Sequence, residues 1–277
     1  MDSRYAHVVA PVPVKQSLAI YDMDKTVTRR PTFGAFLLHA SLRLAPWRLL
    51  LLPAVLASSL AFLAGLIDRG RLKEINYRLL VGEPTAERLE PVVRSFAERQ
   101  ARTNILAGAR ARIAEDKAAG RRLVLATASY RLYAAAIAER LGFDDVIATE
   151  SLPDARGRIV ARIDGANCYG LGKLDMIEAW LQREGLEREA VHIRFYSDHI
   201  SDSVVHHWSD EAFATNADRR LIQLAEAEGW QVLDWRDRAG SRQSRASRSR
   251  PPAALDRNRR RDRRHPPLRS RSEPDCR

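Results

Sequence analysis

Three short apolar runs in this chain each end directly at polar residues that can carry chemistry. The runs and the residues that follow them are Ser17–Tyr21 with Asp22, Arg122–Ala126 with Thr127, and Val191–Tyr196 with Ser197 and Asp198. Apolar runs of this length are typical of buried strands. Because helix-forming segments separate them, they predict an α/β fold with a parallel sheet covered on both faces. The carboxyl ends of parallel strands meet at one edge, so we expect these side chains to share one crevice.

Local signals predict the remaining elements. Residues 32–119 are mostly helix-forming, and later helices are expected at Tyr130–Leu141, Leu171–Arg183 and Asp218–Glu228, with further strands at Ala212–Thr215 and Trp230–Asp234. The runs Val146–Thr149 and Ile159–Ile163 flank a turn region at Pro153–Gly157, which predicts a hairpin.

The net charge of +11 comes almost entirely from the C-terminal segment. Residues 236–277 hold fifteen arginines and five acidic residues, whereas residues 1–235 carry a net charge of +1. This segment is too poor in apolar residues to offset its chain entropy, so we expect it to be disordered. A basic tail can bind anionic lipid or nucleic acid by counterion release, which leaves a binding protein as the alternative to an enzyme. It lacks aromatic residues for base stacking, so no specific nucleic-acid partner is expected.

Cysteine usage and the N-terminus bear on location. The two cysteines, Cys168 and Cys276, are too few for a disulfide framework or a zinc site, which fits a reducing compartment. Residues 1–16 lack the apolar core of a secretory signal. We therefore expect a cytoplasmic protein.

Asp22 and Asp24 lie two residues apart on the loop after the first strand, where two carboxylates can face one small volume. One carboxylate can act as a nucleophile and split a phosphoryl transfer to water into two easier steps. The other can protonate the leaving alkoxide and then activate water. The pair therefore indicates a phosphoryl-transfer enzyme.

The later strand exits supply the groups that such a reaction needs. Thr127 would donate a hydrogen bond to a phosphoryl oxygen, and Ser129 competes with it for that role. Lys173, near the start of a helix, would supply a fixed positive charge. Asp198 and Asp202 carry the oxygen ligands that Mg²⁺ prefers.

With these motifs in order, the chain resembles the haloacid dehalogenase superfamily of phosphatases. The segment Asp22-x-Asp24-x-Thr26 is similar to the first motif, Thr127 to the second, Lys173 to the third, and Ser197-Asp198-x-x-x-Asp202 to the fourth. The resemblance covers roughly residues 17–235. It implies a Rossmann-like parallel sheet, formed by residues 1–31 and 106–235, with a helical cap at residues 32–105 inserted after the first strand.

The resemblance also implies a role for each matched residue. Asp22 would be the nucleophile and a Mg²⁺ ligand, and Asp24 the general acid and base as well as a ligand through its backbone carbonyl. Asp198 would be the remaining protein ligand, and Asp202 would support the metal site or orient Lys173. In this interpretation Thr26 steadies the loop near the substrate.

A second interpretation of the first motif remains open. The segment Asp24-Lys25-Thr26-Val27-Thr28 resembles the phosphorylation motif of ion-pumping ATPases, in which Asp24 would be the nucleophile. Two observations oppose it. The apolar run ends one residue before Asp22, and ion pumps need many membrane spans, whereas this chain has at most one candidate.

That candidate is Leu49–Ile67, nineteen residues without a charge, which reaches the length of a spanning helix. Asp22 precedes this segment and Lys173 follows it, so a single crossing would separate residues that must meet in one site. We expect either a cap element that contacts the inner membrane peripherally or a helix buried inside the cap.

The expected substrate is a phosphorylated small molecule or a phospholipid. Phosphoserine phosphatases share the architecture but usually carry a glutamate where this chain has Pro31. The preceding pair, Arg29 and Arg30, would contact an anionic substrate. The chain looks closer to bacterial phosphatases that act on phosphatidylglycerol phosphate, through the stretches 33–37 (Phe-Gly-Ala-Phe-Leu) and 196–198 (Tyr-Ser-Asp).

Overall fold

The computed structural model describes residues 15–151, 154–165 and 167–236. A sheet of six parallel strands runs through these residues in the order β3-β2-β1-β4-β5-β6. The strands are β1 (Gln16–Tyr21), β2 (Arg122–Tyr130), β3 (Asp145–Thr149), β4 (Val191–Ser197), β5 (Glu211–Thr215) and β6 (Gln231–Leu233). This all-parallel sheet confirms the predicted Rossmann-like α/β class.

Five α-helices stand between β1 and β2 along the chain, and we call the first four the cap helices. They are α1 (Phe33–Leu44), α2 (Leu52–Leu63), α3 (Arg69–Leu80) and α4 (Ala86–Thr103), with a 3₁₀ segment, Pro46–Leu51, before α2. The chain leaves and re-enters the sheet region at one place, because Thr28 forms an antiparallel bridge with Ile105. This is the geometry of an inserted unit, so the division into a core and a cap at residues 32–105 stays our working proposal.

The other helices accompany the sheet. They are α5 (Ala107–Ala118), α6 (Arg131–Leu141), α7 (Leu171–Arg183), α8 (Ser203–Trp208) and α9 (Arg219–Glu228), with 3₁₀ turns at Arg188–Ala190 and Ile200–Asp202. Their ends follow the local signals of the sequence. The carboxylate of Asp218 accepts a hydrogen bond from the Leu221 backbone at the start of α9, and Gly142 ends α6 with a φ of 77°.

The position of β1 at the centre of the sheet explains why its sequence is apolar without alternation. Ala19 and Tyr21 pack in the cluster that includes the cap helices, whereas Leu18 and Ile20 pack in the cluster that includes α7. Successive side chains of a strand point to opposite faces, so a strand with helices on both faces can bury consecutive residues, as β1 does from Leu18 to Tyr21.

The predicted hairpin is wrong. The strand β3 pairs in parallel with β2 at the edge of the sheet, and residues 159–163 form no strand. The backbone N–H of Ile159 instead donates to the Pro84 carbonyl, and that of Ile163 donates to the Glu74 carboxylate of α3. The cap thus satisfies the backbone groups that a hairpin partner would otherwise have taken. Pro153 of the predicted turn lies outside the described residues.

The long apolar segment forms the 3₁₀ turn and α2 rather than one continuous buried helix. Within the described residues, Pro46–Leu63 is the one helical stretch long and apolar enough to span a membrane, with a mean hydropathy of 1.6. Only 6% of this stretch is buried, so the alternative of a helix buried inside the cap is wrong. The predictions for residues 1–14 and for 237–277, which form all but one residue of the arginine-rich tail, fall outside the described residues.

Candidate active site

The exit of β1 places Asp22 in a fixed position at the carboxyl edge of the sheet. Its backbone N–H donates to the Tyr196 carbonyl of β4 at 2.8 Å, and the residue is only 8% exposed. The chain then makes a tight turn through Met23–Val27, in which Lys25 adopts a positive φ of 64°. This turn carries Asp24 back beside the same edge.

Lys173 joins the first and fourth motifs. Its ammonium Nζ, which is buried, donates to Oδ1 of Asp22 at 2.9 Å and to Oδ2 of Asp202 at 2.5 Å. The hydroxyl of Ser197 donates to the same Asp202 oxygen at 2.7 Å. The structure therefore brings together the ends of β1 and β4 and the first turn of α7, as the sequence predicts.

Asp24 is held from both sides of the cleft. Its Oδ1 accepts hydrogen bonds from the backbone N–H and the hydroxyl of Thr32, both at 2.8 Å, and its Oδ2 accepts one from the Ser129 hydroxyl at 3.0 Å. Thr127 accepts a hydrogen bond from the Ser129 backbone at 3.1 Å, which shapes the end of β2. Thr127 lines the cleft as expected, while Ser129 contacts the expected acid–base residue.

Three residues expected beside the substrate lie elsewhere. Thr26 is fully buried and donates to Oδ2 of Asp22 at 3.3 Å, so it supports the carboxylate from behind and does not line the cleft. Arg29 and Arg30 line a separate cavity between α1 and α4. The cause is the backbone, because Asn104 at the end of α4 accepts from both of their N–H groups and turns this segment away from Asp22.

Burial and repulsion between carboxylates set the protonation of the site. Burial raises the pKa of Asp22 to about 7, with contributions from the charges of Asp202 and Asp198, while Lys173 opposes the rise. Burial also raises the pKa of Asp198 to about 6 and raises that of Asp24 in spite of its three hydrogen bonds. For Lys173, burial alone would lower the pKa, but the carboxylates of Asp202 and Asp22 raise it, so the ammonium stays charged.

These groups line a cleft of about 340 Å³ between the sheet edge and the cap. From the core it is lined by Asp22, Asp24, Thr127, Ser129, Lys173, Asp198 and Asp202. From the cap it is lined by Pro31, Phe33 and by Arg69, Leu72, Lys73 and Asn76 of α3. The core wall is thus charged and acidic, whereas the cap wall combines apolar side chains with cations.

The two cationic residues of α3 in the cleft, Lys73 and Arg69, were not predicted from the sequence. Lys73 is buried, and its ammonium donates to the Ala128 carbonyl at 2.5 Å and to Oδ1 of Asn167 at 2.9 Å. Arg69, one turn earlier, stands 4.5 Å from the ring centre of Tyr169 on the opposite rim. Lysine is rare in this chain, which has five, and that rarity is the one signal that could have marked Lys73.

Asn216 was also missed. It follows β5 with a positive φ of 53°, and its side-chain amide donates to the carbonyls of Lys25 and Thr26 at 2.9 and 3.1 Å. The amide therefore clamps the turn that carries the two aspartates. Asn216 directly follows the apolar run that ends at Thr215. A search for polar residues directly after predicted strands would therefore have identified it.

The predicted magnesium site fits this donor set. In the described part of the chain, no three His, Cys, Asp or Glu side chains are grouped closely enough to hold a metal ion by themselves. Of the four predicted metal residues, Asp22 and Asp198 would contribute their side chains and Asp24 its backbone carbonyl, whereas one carboxylate oxygen of Asp202 is held by Lys173 and Ser197. The carboxylates of Asp22, Asp198 and Asp202 surround the buried ammonium of Lys173, and burial together with their mutual repulsion raises the pKa of Asp22 and Asp198. A bound dication relieves that excess negative charge.

Comparison with known proteins agrees with this arrangement. The sequence profile of haloacid dehalogenase-like hydrolases matches residues 19–203. Protein CicA from Caulobacter vibrioides is 34% identical over 160 residues, which is 57% of this chain and 69% of that protein. A probable phosphatase from Mycobacterium tuberculosis is 29% identical over 229 residues, or 80% of this chain and 77% of that protein.

Solved structures share the same fold. A protein with unknown function from Bordetella pertussis superposes with a TM-score of 0.71 at 25% identity, covering 80% of this chain and all of that one. A substrate-bound phosphoserine phosphatase superposes with a TM-score of 0.53 at 17% identity, covering 80% and 94%. The second likeness supports the fold alone.

Proposed function

Since the chain belongs to the haloacid dehalogenase-like hydrolase family and is a phosphatase, we propose that it hydrolyses phosphomonoesters through an aspartyl-phosphate on Asp22. The observation that carries the proposal is the pair of contacts from Lys173 to Asp22 and Asp202 at the floor of the cleft. A buried ammonium held against an otherwise acidic wall is suited to an anionic substrate that arrives from the cap side.

In the first step the Asp22 carboxylate attacks phosphorus. Lys173 and Thr26 each hold one of its oxygens, so the carboxylate is oriented before the substrate binds. A bond from Asp22 to phosphorus forms, and the bond from phosphorus to the ester oxygen breaks. Lys173 offsets the negative charge of the transferring group, and Thr127 donates a hydrogen bond to it.

Asp24 donates a proton in the first step and accepts one in the second. Burial raises its pKa, which favours the protonated form of the carboxyl group. Its Oδ2 faces the Ser129 hydroxyl, which can accept as well as donate, whereas Oδ1 is committed to the two donors of Thr32. The acid therefore delivers its proton from Oδ2 to the leaving alkoxide, and the resulting carboxylate then takes a proton from the water that hydrolyses the aspartyl-phosphate.

The side chains of Asp22 and Asp198 and the backbone carbonyl of Asp24 would hold Mg²⁺. When bound, the ion would supply positive charge that offsets the repulsion between the Asp22 carboxylate and the anionic phosphoryl group. Asp202 accepts hydrogen bonds from Lys173 and Ser197 on one oxygen, so we assign it to orienting Lys173.

For the substrate we propose a lipid phosphate such as phosphatidylglycerol phosphate. The support is the apolar surface of the cap, most of it exposed between residues 38 and 66, which approaches the cleft through Phe62 and Arg69. The alternative is a small metabolite such as phosphoserine. A phosphoserine phosphatase from Mycobacterium tuberculosis is 33% identical over 118 residues, 43% of this chain and 37% of that protein. The predicted cytoplasmic location stays a prediction.

The test is hydrolysis of an aryl phosphate with Mg²⁺, with EDTA, and by Asp22→Asn. We expect activity only in the first case, and Asp175→Asn, an exposed aspartate of α7, should match the wild type. Acid quenching and peptide mass spectrometry should find phosphate on Asp22. Phosphate on Asp24, or full activity of Asp22→Asn, would contradict the mechanism and favour the alternative assignment of the nucleophile. A comparison of phosphatidylglycerol phosphate with phosphoserine then ranks the two substrate classes.

A further inference from the structure

The distribution of polar and apolar side chains on α2 is the reverse of that expected for a helix on a water-exposed surface. Its buried residue is Ser58, whose hydroxyl donates to Oδ1 of Asn76 on α3 at 2.7 Å. Leu56, Leu60 and Leu63, which share one stripe of the helix, point outward, and Leu63 is 78% exposed. The helix therefore turns its apolar side away from the protein.

The exposed apolar surface extends beyond α2. Nine of the eleven exposed large hydrophobic side chains in the described residues lie between residues 38 and 66. They include Trp47 at 60% and Leu50 at 80% exposure in the 3₁₀ segment, and Leu66 in the turn after α2. We call these nine side chains the apolar face. Scattered exposed leucines are ordinary on a protein surface, but a concentration of this kind marks an interaction site.

A strongly basic cavity adjoins the apolar face. It measures about 770 Å³ and lies between α1 and α4, and its lining includes Arg29, Arg30, Arg43 and Arg99 but no acidic residue. We call it the arginine groove. Leu38 and Leu42 of α1 belong both to the lining of this groove and to the apolar face, so the two features form one continuous surface.

The chemistry of this surface selects its occupant. The apolar face needs an apolar environment, and the cavity beside it presents the guanidinium groups of Arg30, Arg43 and Arg99 with no acidic residue in its lining. A membrane that contains anionic lipid offers both an apolar interior and anionic groups within the length of one head group, with Trp47 suited to the interface between them. A second copy of the chain would bring further arginines toward this basic lining, which repulsion between like charges disfavours.

We propose that the apolar face and the arginine groove together form a docking surface for an anionic lipid bilayer. Leucines of the apolar face enter the upper acyl region, and the guanidinium groups of the groove bind head-group phosphates. The segment does not cross the bilayer, because Asp22 before it and Lys173 after it meet at 2.9 Å.

Docking brings the catalytic cleft to the bilayer surface. Arg69 lies 6.0 Å from the ring centre of Phe62, at the end of α2, and 4.5 Å from that of Tyr169, and both Arg69 and Tyr169 line the cleft. Pro31 lines the cleft and the arginine groove alike. The rim of the cleft is therefore shared with the docking surface on two sides.

Cosedimentation with vesicles tests the proposal without any reliance on catalysis. The full chain is mixed with phosphatidylcholine vesicles, with and without phosphatidylserine, which carries no phosphomonoester. We expect binding to the anionic vesicles to exceed binding to the neutral ones by at least tenfold, and to weaken as salt is raised. Asp22→Asn should bind like the wild type, which separates docking from the proposed reaction.

Two double variants separate the contribution of the apolar face to vesicle binding from that of the arginine groove. Leu50→Ser with Leu63→Ser should reduce binding to both kinds of vesicle by about tenfold or more, because two exposed anchors are removed. Arg43→Gln with Arg99→Gln should lower anionic binding about tenfold and leave neutral binding unchanged. The matched controls are Val232→Ser on β6, another exposed hydrophobic residue, and Arg220→Gln on α9.

Thermal melts check that each variant is folded. Because the arginine-rich tail can also bind anionic lipid, the loss of binding in the folded surface variants relative to their matched controls decides the proposal, and the wild-type lipid and salt series supports it only together with that loss. The proposal is overturned if the wild type binds anionic vesicles no better than neutral ones, or if the controls lose as much binding as the surface variants. It is also overturned if the protein is a dimer that Leu50→Ser with Leu63→Ser makes monomeric, without vesicle binding in either form.

Discussion

Replacing Lys173 with methionine removes a buried ammonium group and keeps most of the volume of the side chain. In the wild type this group donates to Asp22 at 2.9 Å and to Asp202 at 2.5 Å, and it also offsets the nearby charge of Asp198. Lys173→Met therefore leaves the buried carboxylates of Asp22 and Asp202 and the half-buried one of Asp198 to face an anionic substrate without that countercharge.

The size of the effect follows from Coulomb's law. Two unit charges about 4 Å apart interact by about 4 kcal/mol at an effective dielectric constant of about 20. Because each 1.36 kcal/mol of transition-state stabilisation is worth about tenfold in rate, the loss of one such interaction predicts a fall in kcat/KM of about 10³-fold.

The variant should also change the pH profile. The charge of Lys173 lowers the pKa of Asp22, which burial has raised to about 7. Without that charge the pKa rises further, so a smaller fraction of Asp22 is ionised and able to attack at a given pH. The acid limb of kcat/KM should therefore move to higher pH in Lys173→Met. A Mg²⁺ ion bound at the proposed site would lower the pKa of Asp22 in both proteins and would leave the direction of the difference unchanged.

Steady-state hydrolysis of an aryl phosphate across the pH range measures both effects. Lys117→Met, an exposed lysine of α5, is the control for the loss of one positive charge. Asp202→Asn should cost less than Lys173→Met, and the double variant should cost about as much as Lys173→Met alone, because Asp202 acts through Lys173. Activity of Lys173→Met within tenfold of the wild type, or an unmoved acid limb, would refute the electrostatic argument.

Two further predictions concern residues that the sequence did not single out. Asp116→Ala leaves the hydroxyls of Tyr21 and Tyr196 and the guanidinium of Arg194 without their shared buried carboxylate, and should reduce the free energy of unfolding by about 3–5 kcal/mol. A denaturant midpoint equal to that of the wild type would show that this network contributes nothing. Asn216→Ala removes both hydrogen bonds to the catalytic turn and should lower kcat about tenfold while KM changes less. Asn216→Gly, which tolerates the positive φ, separates backbone strain from the lost bonds, and wild-type kcat in both variants would contradict the clamp.

The sequence was sufficient to predict the centre of the site because parallel register is a short-range consequence of the strand pattern. Tyr21 of β1 pairs with Leu125 of β2 and with Tyr196 of β4, so Asp22, Thr127 and Asp198 lie at nearly the same level of the sheet. Polar residues at this level then meet without further information. This is why the charge of Asp198 acts on Asp22 although the two residues lie far apart along the chain.

Positions that depend on packing between distant segments could not be predicted in the same way. Arg29 and Arg30 are close to Asp22 along the chain, but the hydrogen bonds to Asn104 direct them to the other side of Pro31. The hairpin failed for the same reason. A strand pattern shows that residues 145–149 need a partner, but the free edge of β2 decides which partner they take.

Asp24, the acid–base residue of the proposed mechanism, is held by the cap as well as by the core, and in that mechanism this couples substrate choice to chemistry. Thr32, at the start of α1, supplies both donors to Oδ1 of Asp24, whereas Ser129 of β2 supplies the donor to Oδ2. Lys73 of α3 donates to the Ala128 carbonyl, between Thr127 and Ser129. Displacement of the cap helices from the sheet therefore breaks bonds to Asp24 and to the strand end that presents Thr127. It follows that a substrate that fits the cap poorly should lose kcat as well as affinity, because proton transfer is organised only when the cap is in place.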